Sequence, residues 1–130
     1  MNQLLAVGVL ALSSSIAMAG RVQLAPVIVT LNADGSGSAN GNMAQARAAA
    51  NDVEYIGCGV RKSATSNGVI TFAFCQAADA AGNTAYCYTD NAELVDAIKS
   101  VADYSFVTFS WNTEDQCRLI GVSTQSFYIP

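Results

Sequence analysis

Four cysteines, Cys58, Cys75, Cys87 and Cys117, constrain this chain more than any other feature. Their number is even and their spacing is wide. Structural zinc sites set thiolates in close pairs, roughly two to four residues apart. The pattern here reads instead as two disulfides formed in an oxidising compartment. A free catalytic thiol is not expected either, because the chain has no histidine to activate one.

Four cysteines allow three pairings, and one local feature favours a choice among them. Residues 69–78 (VITFAFCQAA) and 84–89 (TAYCYT) read as strands around Asp79-Ala80-Ala81-Gly82-Asn83. Asp at the first turn position and Gly at the fourth suit a type I turn closed by a left-handed glycine. That register sets Asp79 opposite Asn83 and Cys75 opposite Cys87. Facing residues of a non-hydrogen-bonded pair lie near bridging distance. The expected pairs are therefore Cys75–Cys87 and, as a long-range staple, Cys58–Cys117.

The amino-terminal segment agrees with an oxidising destination. Leu4 to Leu12 is apolar apart from Gly8, and Ser13-Ser14-Ser15 and Ala17-Met18-Ala19 follow. This is the hydrophobic region and small-x-small site of a signal peptide over residues 1–19, with cleavage after Ala19. Met1-Asn2-Gln3 lacks Lys and Arg. The serine run interrupts the segment well short of the roughly 20 apolar residues a membrane anchor needs. No cysteine lies near the cleavage site, so no lipid anchor is expected there. The expectation is a single disulfide-stapled domain over residues 20–130, periplasmic or extracellular, with no membrane attachment after cleavage.

Along that domain, Val22 to Asn32 reads as a strand that Pro26 kinks or confines to an edge. Residues 34–42 (DGSGSANGN) read as a turn or loop. Met43 to Ala50 has helical propensity but no strong apolar stripe, which leaves helix or strand open. Val53 to Val60 reads as a buried strand, and Gly57 and Gly59 around Cys58 suggest a bulge or a close backbone approach. Asn67-Gly68 is a turn signal before the first hairpin.

Asp90 and Glu93 form a capping box ahead of a helix whose apolar face carries Leu94, Ala97, Ile98 and Val101. A second hairpin follows, Phe106–Trp111 with Cys117–Ser123. A register symmetric about Glu114 puts Trp111 opposite Cys117, with Phe109 and Leu119 on the same face. Gln125–Pro130 reads as a last strand. The fold class is α+β: a small antiparallel sheet of hairpins with one amphipathic helix packed on a face, and two disulfides.

The chemistry is sparse. The net charge is −4, and charged residues make up only 12% of the chain. An acidic, lysine-poor surface argues against nucleic acid as a partner. The lack of histidine removes Ser-His-Asp and Cys-His catalysis and the commonest metal ligand. No Ser-x-x-Lys and no glycine-rich phosphate loop occur.

Asn32, Asp34, Ser36 and Ser38 have the spacing of a calcium loop, but only Asp34 is charged, so they read as a turn. Asp52/Glu54 and Glu114/Asp115 are carboxylate pairs that read as solvated surface rather than as a glycosidase site. No catalytic, cofactor-binding or metal site is expected. Ten of the eleven aromatics, Phe72, Phe74, Tyr86, Tyr88, Tyr104, Phe106, Phe109, Trp111, Phe127 and Tyr128, fall mostly in expected strands and read as core. A surplus of them on an outer face would mark a binding surface, and the Phe127-Tyr128-Ile129 tail is the best candidate for one.

The spacing of Ile56-Gly57-Cys58-Gly59, Cys75, Gly82, Cys87, Phe109-Ser110-Trp111, Cys117, Ile120-Gly121-Val122-Ser123 and Tyr128-Ile129-Pro130 resembles a group of uncharacterised small exported bacterial two-disulfide proteins. The resemblance implies Gram-negative export and a shared cystine scaffold, and it implies no activity or ligand. Chaperone-assembled pilins are a looser likeness; here an internal helix is prominent and the aromatic near the end is not penultimate. The expected function is an exported, non-enzymatic binding or surface-structural protein with a protein partner or self-association. The alternative is a rigid-loop inhibitor of an extracellular or periplasmic hydrolase, inserting Asn112–Gln116 or Arg61–Asn67.

Overall fold

A computed structural model describes residues 20–130; the expected signal peptide and its cleavage site lie outside the described residues. The α+β class holds, with the strands divided between two antiparallel sheets. The chain runs β1 (Ile28–Leu31), β2 (Gly37–Asn42), α1 (Met43–Ala48), β3 (Tyr55–Thr65), β4 (Gly68–Ala78), β5 (Thr84–Thr89), α2 (Ala92–Ile98), β6 (Phe106–Trp111) and β7 (Cys117–Ser123). A four-stranded sheet has the order β1-β2-β6-β7, and a three-stranded sheet has the order β3-β4-β5.

The core lies where the inner faces of the two sheets meet. Ala73, Cys75, Ala77 and Cys87 from the smaller sheet and Ala39, Val107 and Phe109 from the larger one are completely buried. Burying a side chain such as Val107 or Phe109 contributes about 1.5–3 kcal/mol. Alternation sets these faces: in β6 the buried residues are Val107, Phe109 and Trp111, with half-buried residues between them. Val95 and Ile98 of α2, and Ala46 of α1, close the rest of the core.

Strand β2 departs most from expectation, because GSANGN is a strand paired on both sides rather than a loop. Its small residues are what the packing demands. A Cβ on Gly37 would run into the Trp111 ring and the Thr30 carbonyl, and one on Gly41 would lie 2.9 Å from the Val27 backbone. The turn ends at Ser36, where the Ser36 amide and hydroxyl both donate to Asp34 at 2.9 and 2.6 Å.

The first hairpin has the expected register. The Asp79 amide donates to the Asn83 carbonyl at 3.0 Å, Gly82 has φ +84°, and Cys75 lies opposite Cys87. The disulfides nevertheless join Cys58 to Cys75 and Cys87 to Cys117, which corrects the expected pairing. Hydrogen-bonded and non-hydrogen-bonded pairs alternate along an antiparallel ladder. Asp79 and Asn83 exchange a hydrogen bond, so Cys75 and Cys87, two steps of that alternation away, also form the wide, hydrogen-bonded kind. On its other edge Cys75 faces Cys58 in a narrow pair, with Cα atoms 4.0 Å apart. Cys87 is left to reach across to Cys117, which ties the two sheets together.

Three further expectations are corrected. Helix α2 is capped by Asn91, not by Asp90 with Glu93: the Asn91 side-chain oxygen accepts from the Glu93 and Leu94 amides at 3.0 and 3.2 Å. Trp111 does pair with Cys117, but a β-bulge separates it from Ser110. Arg118 is the extra residue, so Phe109 faces Ile120 while Leu119 turns outward. The tail forms a 3₁₀ turn at Ser126–Tyr128 rather than a strand. Met43–Ala48, ambiguous in sequence, is a helix capped by Asn42 through the Gln45 amide at 2.9 Å.

Candidate functional site

The carboxylates singled out in the sequence serve the scaffold. Glu54 accepts from the Val27 amide at 3.1 Å through one oxygen and from the Asn51 side chain at 2.5 Å through the other. It therefore joins the segment before β1 to the turn before β3. Its neighbour Asp52 occupies that turn with φ +56°. Glu114 and Asp115 lie at the exposed tip of the β6–β7 hairpin, where the Asn112 side chain accepts from the Glu114 and Gln116 amides at 3.0 and 2.9 Å.

Asp34 is folded onto Ser36, and the Ser36 hydroxyl bond holds its carboxyl below the ordinary range. Asn32 donates to the same Ser36 hydroxyl at 2.9 Å, so these oxygens are spent on a turn, as expected; Ser38 lies beyond it in β2.

The tail candidate is tied down rather than free. Tyr128 stacks on Phe106 with ring centroids 5.2 Å apart, and Phe127 meets Tyr128 edge-on at 4.6 Å. The Gln23 amide donates to the Phe127 carbonyl at 2.8 Å, so the two ends of the described chain cover one another. The expected inserting loop Arg61–Asn67 is not a loop. Residues 61–65 are the end of β3, joined to β4 by a tight turn in which Gly68 has φ +113°.

The exposed rings gather on a different surface. On the outer face of the three-stranded sheet, alternation places Ile70, Phe72, Phe74 and Gln76 of β4 beside Tyr86 and Tyr88 of β5, with Tyr55 and Arg61 of β3 on the other side. Ile70, Phe72, Tyr55, Tyr86 and Tyr88 are all at least 40% exposed. Single exposed apolar side chains are ordinary; a contiguous patch of them is what marks a contact surface.

The patch is braced from within. Gly57 and Gly59 keep the β3 lane low, and the Phe74 ring lies over Gly59, where a Cβ would sit 2.8 Å from it. The Arg61 guanidinium lies over the same ring, 5.0 Å from its centroid. Behind Phe74 and Tyr88, Cys75 and Cys87 point inward and carry the two disulfides.

Polar groups border the aromatic face. At its Tyr88 end an open depression of about 430 Å³ is lined by Asp90, Asn91, Gln116 and Arg118. The Tyr88 amide donates to the Asp115 carbonyl at 3.0 Å, so the β6–β7 tip closes the outer edge of β5 and positions that depression.

Sequence reasoning placed Phe72, Phe74, Tyr86 and Tyr88 in strands but assigned them to the core. The signal that separates them was available: they share the parity opposite to Cys75 and Cys87, and disulfide cysteines face inward. No family model, curated protein or solved structure matches this chain, so its function is read from this geometry alone.

Proposed function

We propose that this is an exported, non-enzymatic binding or surface-structural protein that meets its partner through the aromatic outer face of the three-stranded sheet. The observation that carries the reading is the contiguous exposure of Ile70, Phe72, Tyr86, Tyr88 and Tyr55 on a face braced by both disulfides. Tyr and Phe concentrate in interface cores because they bury a large area at low entropic cost. A rigid backing lowers the ordering cost of binding further. Two disulfides suit a compartment outside the cytoplasm, and no helix among the described residues is long and apolar enough to cross a membrane. The absence of histidine and the use of Asp34 and Glu54 in turns support binding over catalysis.

Retention on the envelope of the producing cells tests this. The full chain is expressed with its own amino terminus, and washed cells are assayed for the exported product. The wild-type protein is expected to stay with the cells, and a Tyr86→Ser/Tyr88→Ser variant with the same disulfide map to be released. Equal release of both sinks the reading.

A further inference from the structure

We propose that the outer half of the β3–β4 hairpin is a dimerisation arm, in which the exposed edge of β4 at Gly68–Phe72 pairs antiparallel with the same segment of a second copy. The inference goes beyond the reading of the aromatic face: it concerns an edge of the same sheet and names the partner as the chain itself.

The arm arises from unequal strand lengths. β4 pairs with β3 from Gly68 to Ala78, but with β5 only from Ala73 to Ala78, because β5 ends at Thr89 opposite Ala73. Beyond that point the hairpin is a two-stranded ribbon, and every residue from 61 to 70 is exposed. Such a ribbon is marginal in water unless a third strand or a packed surface supports it. The lane that β5 vacates begins beyond Ala73, and Gly68, Val69 and Ile70 along it are exposed. Along β4 the odd-numbered residues bond toward β5, so the amides and carbonyls of Val69 and Thr71 point into that lane. No other backbone hydrogen bond among the described residues reaches them.

The other edges are guarded, which singles this one out. β1 is four residues long and follows Pro26. β3 carries Lys62 along the arm, while its Arg61 reaches over Phe74. β5 is closed by the Asp115 carbonyl, and β7 carries Arg118 and packs on α2. Short edge strands, proline and charge are how proteins prevent strand addition. Gly68-Val69-Ile70-Thr71-Phe72 has no charge and no proline and is rich in β-branched and aromatic residues.

The segment also complements itself. A two-fold register centred on Ile70 makes Val69 and Thr71 the hydrogen-bonded pairs, with Ile70 facing the partner's Ile70. It sets Phe72 over the partner's Gly68, the same glycine–aromatic contact that Phe74 makes with Gly59 inside one chain. Charge favours this approach. The chain carries a net −4, yet Tyr55–Ala78 contains Arg61 and Lys62 and no carboxylate. Pairing through β4 leaves these cations on the two outer strands of a four-stranded ribbon, apart from one another. The seam itself, Gly68–Phe72, therefore carries no charged side chain.

Sedimentation equilibrium of the exported, oxidised protein over a range of concentrations tests the inference. A reversible dimer is expected. Thr71→Pro removes an amide that points into the open lane and is unused within the chain, and it should weaken the dimer about tenfold or more. Its disulfide map and far-ultraviolet circular dichroism should stay those of the wild type.

Ile70→Cys should give a disulfide-linked dimer and Ser63→Cys should not. A wild-type protein that is monomeric throughout overturns the inference, as does a dimer cross-linked through Ser63→Cys alone. A monomer that is still retained on cells leaves the aromatic-face reading standing. A dimer released equally from cells with and without Tyr86 and Tyr88 does the reverse.

Discussion

Gly37 lies beneath the Trp111 indole, whose Nε1 donates to the Gly35 carbonyl at 3.0 Å. The ring is thus held from two sides. Gly37→Ala is expected to cost about 1–3 kcal/mol through overpacking. Urea denaturation measures it, and an unchanged midpoint contradicts this account of β2. Asp79 makes the complementary case on the surface. Its carboxylate accepts from the Asn83 side chain and from the Ala81 and Asn83 amides at 2.9–3.0 Å. The Asn83 side-chain bond chiefly holds its carboxyl below the ordinary value of 3.8.

A carboxyl lowered in the folded state stabilises the turn above its unfolded pKa, and that contribution is lost as the pH falls through the lowered value. Titration by carboxyl-carbon NMR should therefore give Asp79 a midpoint below 3.8, and a midpoint at or above it contradicts the turn geometry. This turn was legible in the sequence because Asp and Gly each have a local reason to be where they are. The roles of Gly37 and Gly41 were not, since a glycine excluded by a distant indole looks the same as a glycine in a loop.

At the scale of elements, the hairpins were readable and their connections were less so. The Cys75–Cys87 register followed from the turn, yet register alone did not give the pairing. Cys75 has a cysteine opposite it on both edges of β4, and the ladder alternation decides between them. Non-reducing peptide mapping should recover Cys58–Cys75 and Cys87–Cys117. Replacing the second pair by serines should cost slightly more than replacing the first, by about 0.5 kcal/mol in the chain-entropy account. The reason is that it closes a separation of 30 residues against 17.

Helix α2 offers a sharper contrast between neighbours. Asn91→Ala should cost about 1 kcal/mol, because Asn91 caps the Glu93 and Leu94 amides. Asp90→Ala should be close to neutral in thermal melts. The Asp90/Glu93 spacing had suggested the opposite assignment, and only the backbone at Asn91 shows where the helix begins. The bulge at Arg118 left no mark in the sequence, and it alone turned Leu119 from core to surface.

For the molecule as a whole, the two disulfides divide the labour. Cys87–Cys117 joins the sheets, while Cys58–Cys75 stiffens the smaller sheet where it begins to leave the body. The result is a braced sheet with one face in the core and the other exposing rings. Its open end continues as an uncharged ribbon edge. A sequence rich in strand-forming aromatics signals such a sheet, but which face they occupy depends on the parity set by the cysteines.

The outer face of the smaller sheet is thus the proposed contact surface. Nitration of the protein on washed cells, followed by peptide mapping, tests it most directly, because Tyr104 is 46% exposed and lies off that sheet, serving as an internal control. Tyr86 and Tyr88 are expected to be protected in the cell-retained protein and reactive in the free protein, with Tyr104 reactive in both. Equal nitration of all three on cells, or protection of Tyr104 alone, would contradict it.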